Sequence, residues 1–165
     1  MKRFLIAVFL ILSSIIYAQA QNAPKEGDMF IDFTVLQDES DPSSKVSLSD
    51  YVGKGKWVVA DFWASWCGWC IKEIPYLQKI NNELPKDKVI VLSIAVSDKP
   101  EDTKAAASKY GVTWAQIINT KSVAGKAYGI RGIPYTVVFN PQGKIAAIGL
   151  RGDNLYKYIK QAVSM

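Results

Sequence analysis

The chain has 165 residues, 49% hydrophobic and 21% charged, with two cysteines and no histidine. That composition suits one globular domain that can bury most of its apolar surface. Setting Lys2 and Arg3 aside with the leader described next leaves 18 basic residues, scattered along the chain, against 15 acidic ones, a balance too weak to point to nucleic acid.

Lys2 and Arg3 precede an apolar run from Phe4 to Leu12 that continues through Ile15, Ile16 and Tyr17. Ala18-Gln19-Ala20 then has the small-x-small form of a signal peptidase site. The run is shorter than the about 20 residues of a comfortable membrane span. Residues 1–20 therefore read as a signal peptide, cleaved after Ala20, that exports the chain to a bacterial periplasm, with an uncleaved membrane anchor as the less favoured alternative. No cysteine stands near position 20 to carry a lipid. Residues 21–28, with Pro24 and Gly27, read as a flexible lead-in. A single domain then occupies 29–165.

Within it, Phe30, Phe33 and Val35 suggest a first strand, 37–45 a polar loop, and Val46 and Leu48 a second short element, together an extension beside the core. Strand 57–63, helix 68–84 and strand 88–96 form a β-α-β unit whose parallel strands are buried and joined by a right-handed crossover. Pro75 should kink that helix, since it lacks an amide donor. Pro100-Glu101-Asp102 opens a helix through Tyr110 that Gly111 stops. Trp114 to Ile118 predicts a strand and Val123 to Tyr128 a short helix. A hairpin of 135–139 and 144–150 turns at Asn140-Pro141-Gln142-Gly143, and a helix over 153–164 closes the chain with Asp153 as N-cap.

The two cysteines, Cys67 and Cys70, fall where strand 57–63 gives way to helix 68–84. Unpaired backbone N–H groups and the helix dipole at that point stabilise a thiolate, drawing the first thiol from about 8.5 toward roughly 3.5–7.5. Cys67 is thus the exposed nucleophile candidate and Cys70, about one turn on, the shielded resolving thiol. A zinc site would need four ligands, and neither a histidine nor a third cysteine is present. A structural staple would more usefully join distant segments.

Asp61-Phe62-Trp63-Ala64-Ser65-Trp66-Cys67-Gly68-Trp69-Cys70 resembles the active-site stretch of thioredoxin, and Tyr128-Gly129-Ile130-Arg131-Gly132-Ile133-Pro134 its cis-proline loop. The export signal, the N-terminal extension, a helix-strand insertion between Val96 and Tyr128, and Cys70-Ile71-Lys72-Glu73-Ile74-Pro75 resemble the TlpA/ResA group of exported thioredoxin-like proteins. The resemblance covers roughly 27–164. It implies an α/β, thioredoxin-like fold: a central mixed β-sheet flanked by helices, with an N-terminal β extension and the inserted helix-strand segment.

It also implies an activity, that of a protein thiol-disulfide oxidoreductase working through a Cys67/Cys70 dithiol-disulfide cycle. Asp61 corresponds to the buried aspartate that takes up or relays the Cys70 proton, and Glu73 to a glutamate that exchanges protons with the thiols. Trp66, Gly68, Trp69, Ile133 and Pro134 are the expected substrate-side residues, with a cis Ile133-Pro134 bond. No cofactor or metal is implied beyond the redox-active disulfide. The partners implied are protein disulfides, among them apocytochrome c, and a membrane thiol-disulfide electron donor. Rival readings are an oxidising, disulfide-forming protein and a thiol peroxidase, the latter opposed by Ala64 where peroxiredoxin-like sites carry threonine. A copper chaperone of similar fold would use a histidine. Thioredoxin's proline before the second cysteine is Trp69 here, and that dipeptide tunes the redox potential.

Overall fold

The computed structural model describes residues 23–164, so the signal-peptide reading of 1–20 lies outside the described residues. The two central strands, β3 (Trp57–Trp63) and β4 (Val89–Ala95), run parallel from Trp57 opposite Val89 to Trp63 opposite Ala95. Their nearly unbroken apolar sequences follow from burial on both faces. A short strand β5 (Ala115–Ile117) extends the sheet in parallel beyond β4. On the other side β6 (Tyr135–Phe139) pairs antiparallel with β3, and β7 (Ile145–Ile148) antiparallel with β6, giving the order β5-β4-β3-β6-β7. The mixed sheet and its flanking helices are the architecture that the sequence predicts.

Helices α1 (Gly68–Glu83) and α4 (Gly152–Ser164) cover one face, where Leu77 and Ile80 meet Val59, Val91, Val138, Leu155 and Ile159. The opposite face is covered by the N-terminal extension. There β1 (Thr34–Leu36) pairs antiparallel with β2 (Lys45–Ser47), and Phe33, Val35 and Leu48 pack with Phe62, Tyr128 and Phe139. Between β4 and β6 the inserted segment supplies α2 (Pro100–Lys109), β5 and the short α3 (Val123–Ala127). Pro75 lies inside α1, which continues through it.

Two expectations are corrected. The lead-in is docked over its described part: Pro24 is buried, Gly27 N–H donates to Ile145 O (2.8 Å), Ile145 N–H donates to Asp28 O (2.8 Å), and Ile148 N–H donates to Glu26 Oε1 (3.1 Å). The reason is that β7 is the sheet's edge, and its free backbone groups take whatever strand-like segment lies beside them. Asp153 is not the N-cap of α4, because the helix already begins at Gly152. Asp153 sits in the first turn and pairs with Lys157 one turn on, at 2.7 Å. Close approach explains one glycine: Gly143, at φ +84°, would place a Cβ 2.9 Å from the Phe30 ring.

Tyr128 ties the extension to the core. Its hydroxyl accepts from Ile31 N–H (3.1 Å) and donates to Ile31 O (3.0 Å), while its ring packs among Phe33, Phe62 and Phe139. Tyr128→Phe keeps the ring and removes both bonds, so it should lower stability by about 1 kcal/mol, read as a lower urea midpoint at unchanged slope.

Candidate active site

At the C-terminal end of β3 the chain turns through Ala64–Trp66 and enters α1 with Cys67 as N-cap, in an extended conformation. Cys67 Sγ accepts the Cys70 N–H at 3.1 Å, the bond an aspartate or serine oxygen would ordinarily accept there. Cys67 and Cys70 are joined as a disulfide, with Cα atoms 5.2 Å apart. When the pair is reduced, the same geometry turns the first-turn N–H groups toward negative charge on Cys67.

Cys67 is expected as an exposed thiol, yet in this oxidised form it is only 6% exposed, against 0% for Cys70. Trp63, Ala64 and Ile74 close around the pair, with Ile133 against them. Cys67 keeps slightly more exposure than Cys70, but the whole couple is sheltered.

Side chains alternate along β3, so Val59, Asp61 and Trp63 face α1 while Val58, Ala60 and Phe62 face the extension. This puts Asp61 under α1, 2% exposed, and its Oδ1 has no hydrogen-bond partner among the described residues. Burial raises its pKa from 3.8 to about 7, with the charge of Glu73 adding to the rise and Arg151 opposing it. A carboxylate so placed takes up a proton near neutral pH.

Glu73 is otherwise engaged. Its Oε2 accepts the Gly152 N–H at 2.8 Å, at the first residue of α4, and no hydrogen bond joins it to either sulfur. It therefore holds the start of α4, and its charge adds to the upward shift of the Asp61 pKa.

The substrate-side candidates divide. Trp66, 64% exposed, is pinned by its Nε1–H to Ser97 O at 3.1 Å, and the Ile133–Pro134 peptide is cis. Trp66 and Ile133 together border a groove of about 450 Å³ that also includes Val96, Ser97, Ile130 and Arg131. Gly68 and Trp69 lie outside that groove. Trp69 projects into solvent, with Lys72 Nζ 4.1 Å from its ring centre.

Sequence reasoning passed over two residues. Asp98 accepts from Ser65 N–H (2.7 Å), Ser65 Oγ (2.8 Å) and Thr103 Oγ1 (2.8 Å), clamping the turn before Cys67 to α2. Its signal was available: it follows β4, and parallel strands end at the same edge of the sheet. Arg151 donates from Nη2 to Pro134 O and so links the cis-proline to the start of α4. Nothing local marks a lone arginine for such a bond.

The profile of the AhpC/TSA family matches residues 27–148. Over 114 residues the chain is 31% identical to the thiol-disulfide oxidoreductase ResA of Geobacillus thermodenitrificans, covering 69% of this chain and 64% of that one, just under two thirds of the relative's length. Among solved structures, the thioredoxin domain of a thiol-disulfide oxidoreductase from Bacteroides vulgatus is 32% identical, with a TM-score of 0.72 over 85% of this chain and 99% of that chain. A thiol:disulfide interchange protein from Bacteroides sp. is 33% identical, with a TM-score of 0.74 over 87% and 93%.

Asp61→Asn tests the buried carboxylate. Because its folded pKa lies above its unfolded value, the native state holds a proton that the unfolded chain releases, and the stability so conferred is lost as pH rises from about 4 through about 7. The variant should match the parent near pH 4 and exceed it by a few kcal/mol at pH 9 in urea unfolding of the oxidised protein. Equal stabilities at pH 9 would mean that the carboxylate is solvated.

Proposed function

We propose that this chain, which belongs to the AhpC/TSA family, is an exported enzyme that reduces protein disulfides through the Cys67–Cys70 pair. The observation carrying the reading is the stacking of three groups at one helix start: Cys67 at the N-cap, Cys70 buried one turn below, and Asp61 beneath α1 with a pKa near neutrality.

In the reduced enzyme the Cys67 thiolate attacks one sulfur of a substrate disulfide. A Cys67–substrate bond forms, the substrate S–S bond breaks, and the other substrate sulfur leaves as a thiolate that takes a proton from water. Cys70 passes its proton to Asp61 and attacks Cys67 Sγ, forming the intramolecular disulfide and expelling the second substrate thiolate, which takes up the proton that Asp61 releases. Two electrons have then moved from the enzyme to the substrate, whose disulfide is now two thiols. The oxidised pair requires a reductant, which we assign to a membrane thiol-disulfide donor. Substrates are protein disulfides, apocytochrome c among them, and no cofactor is needed beyond the enzyme's own disulfide. Export to the periplasm is part of this proposal and rests on residues 1–20.

The thiol peroxidase reading finds little support at the site. Ala64 is fully buried and carries no hydroxyl, and the Ser65 hydroxyl is committed to Asp98. The choice between reducing and oxidising turns on the potential of the couple. A value near roughly −270 mV supports reduction, and one near roughly −120 mV turns the assignment to disulfide formation.

With insulin and dithiothreitol, Cys67→Ser should abolish turnover above background. Cys70→Ser should stop turnover and accumulate a mixed disulfide on Cys67, visible by mass under non-reducing conditions. Peroxide turnover by the parent protein without insulin reduction would instead favour the peroxidase.

A further inference from the structure

The groove beside the disulfide carries a charge pattern that the reaction itself does not require. Its floor is apolar, with Val96, Ile130 and Ile133 running up to Trp66. Its rim carries Lys121, Lys126 and Arg131, and no acidic residue lines it. Lys121 is ion-paired with Glu39, both side chains being largely exposed. Lys126 and Arg131 are exposed and have no acidic partner within ion-pair distance among the described residues.

Glycines keep the walls open. A Cβ on Gly125 or Gly132 would meet nothing within 4 Å, so backbone is presented directly to whatever lies in the groove. Gly129, at φ +60°, is closed off by Ala23, to which an added Cβ would come within 2.6 Å. The free volume is therefore bounded by Trp66 and Ile133 at the sulfur end and by the cations at its rim.

We propose that this groove selects disulfide substrates whose cysteine lies in an acidic, apolar-containing segment, read by Lys126 and Arg131 with Lys121 as a screened third charge. The inference rests on the oxidoreductase reading for its chemistry and adds the substrate class. Cations at the rim of a low-dielectric groove concentrate anionic partners and accelerate their encounter, an effect that salt suppresses. The apolar floor holds side chains of the same segment. A basic segment meets like charge at the rim and is rejected.

The test uses two fluorescent ten-residue peptides, one built from Asp and Leu and one from Lys and Leu, each with serine at the central position so that binding is read apart from chemistry. At low salt the acidic peptide should bind the protein about tenfold more tightly or better, and the ratio should shrink toward one as salt rises toward about 1 M. Lys126→Glu combined with Arg131→Glu, in protein that keeps the parent's urea unfolding transition, should invert the preference. Lys54→Glu with Lys86→Glu removes the same charge beside the starts of β3 and β4, at the opposite edge of the sheet, and should leave the acidic preference in place. Equal affinities, or a preference that follows net charge in both double variants alike, would overturn the inference. Cysteine-containing versions of the peptides, with hydroxyethyl disulfide as a neutral small substrate, separate the two readings. Acidic preference in binding without turnover of any disulfide would sink the oxidoreductase proposal and keep the groove, whereas turnover with no charge preference would do the reverse.

Discussion

Helix α1 begins at a sulfur atom, and the arrangement of the site follows from that. An N-cap must accept a hydrogen bond from the first turn, and Cys67 Sγ does so from Cys70 N–H. The same requirement sets the chain direction, places the second cysteine inside the helix, and aims unpaired N–H groups at the first. A thiolate there is stabilised by backbone alone, which matters in a chain without a histidine to serve as counter-ion. The cap works only because β3 delivers residues 64–66 at the right height, and β3 is fixed in turn by parallel pairing with β4 on one side and antiparallel pairing with β6 on the other.

Beneath the cap the protein carries a destabilising feature. A fully buried carboxylate with an unsatisfied oxygen works against folding once it ionises, and Asp61 is further raised by the nearby Glu73. Arg151 partly offsets this while holding the Pro134 carbonyl, and Glu73 is itself held by the first N–H of α4. The cis-proline loop and Glu73 are thus each hydrogen-bonded to the start of α4, and the buried acid feels both through the charges of Arg151 and Glu73. Tolerating such strain is reasonable if the proton it moves is the one that the resolving thiol must lose.

Much of this framework is legible in the sequence, and the reasons are specific. The apolar runs of β3 and β4 are long because both faces of the sheet are covered, and punctuation by Pro100, Gly111 and Asn140-Pro141-Gln142-Gly143 marks element ends within about a residue or two. The burial of Asp61 is likewise legible, since it stands inside the apolar run of residues 57–63. What escapes are bonds between segments distant in the chain. Glu73 to Gly152, Arg151 to Pro134 and Tyr128 to Ile31 span 79, 17 and 97 residues, and no local pattern announces them. The docking of the lead-in escapes for a related reason: polar residues with proline and glycine look unstructured until an edge strand needs a partner.

The inserted segment shows how the groove beside the sulfurs is built. Ser97 and Lys121, neither of them glycine, adopt left-handed backbone at φ 53° and 51°, a conformation that costs roughly 1–2 kcal/mol at each residue. The two are held together by Ser97 N–H donating to Lys121 O at 3.2 Å, and Thr120 Oγ1 donates to Ala95 O at the end of β4. Asp98, next in the chain, clamps the turn before Cys67 to α2, while Ser97 O receives the Trp66 indole. These bonds offset the unfavourable backbone only if the insertion is docked, so the position of Trp66 and of the basic rim depends on the same few contacts. A segment that reads as an embellishment of the β-α-β core is, in these terms, the wall against which the sulfur end of the groove is formed.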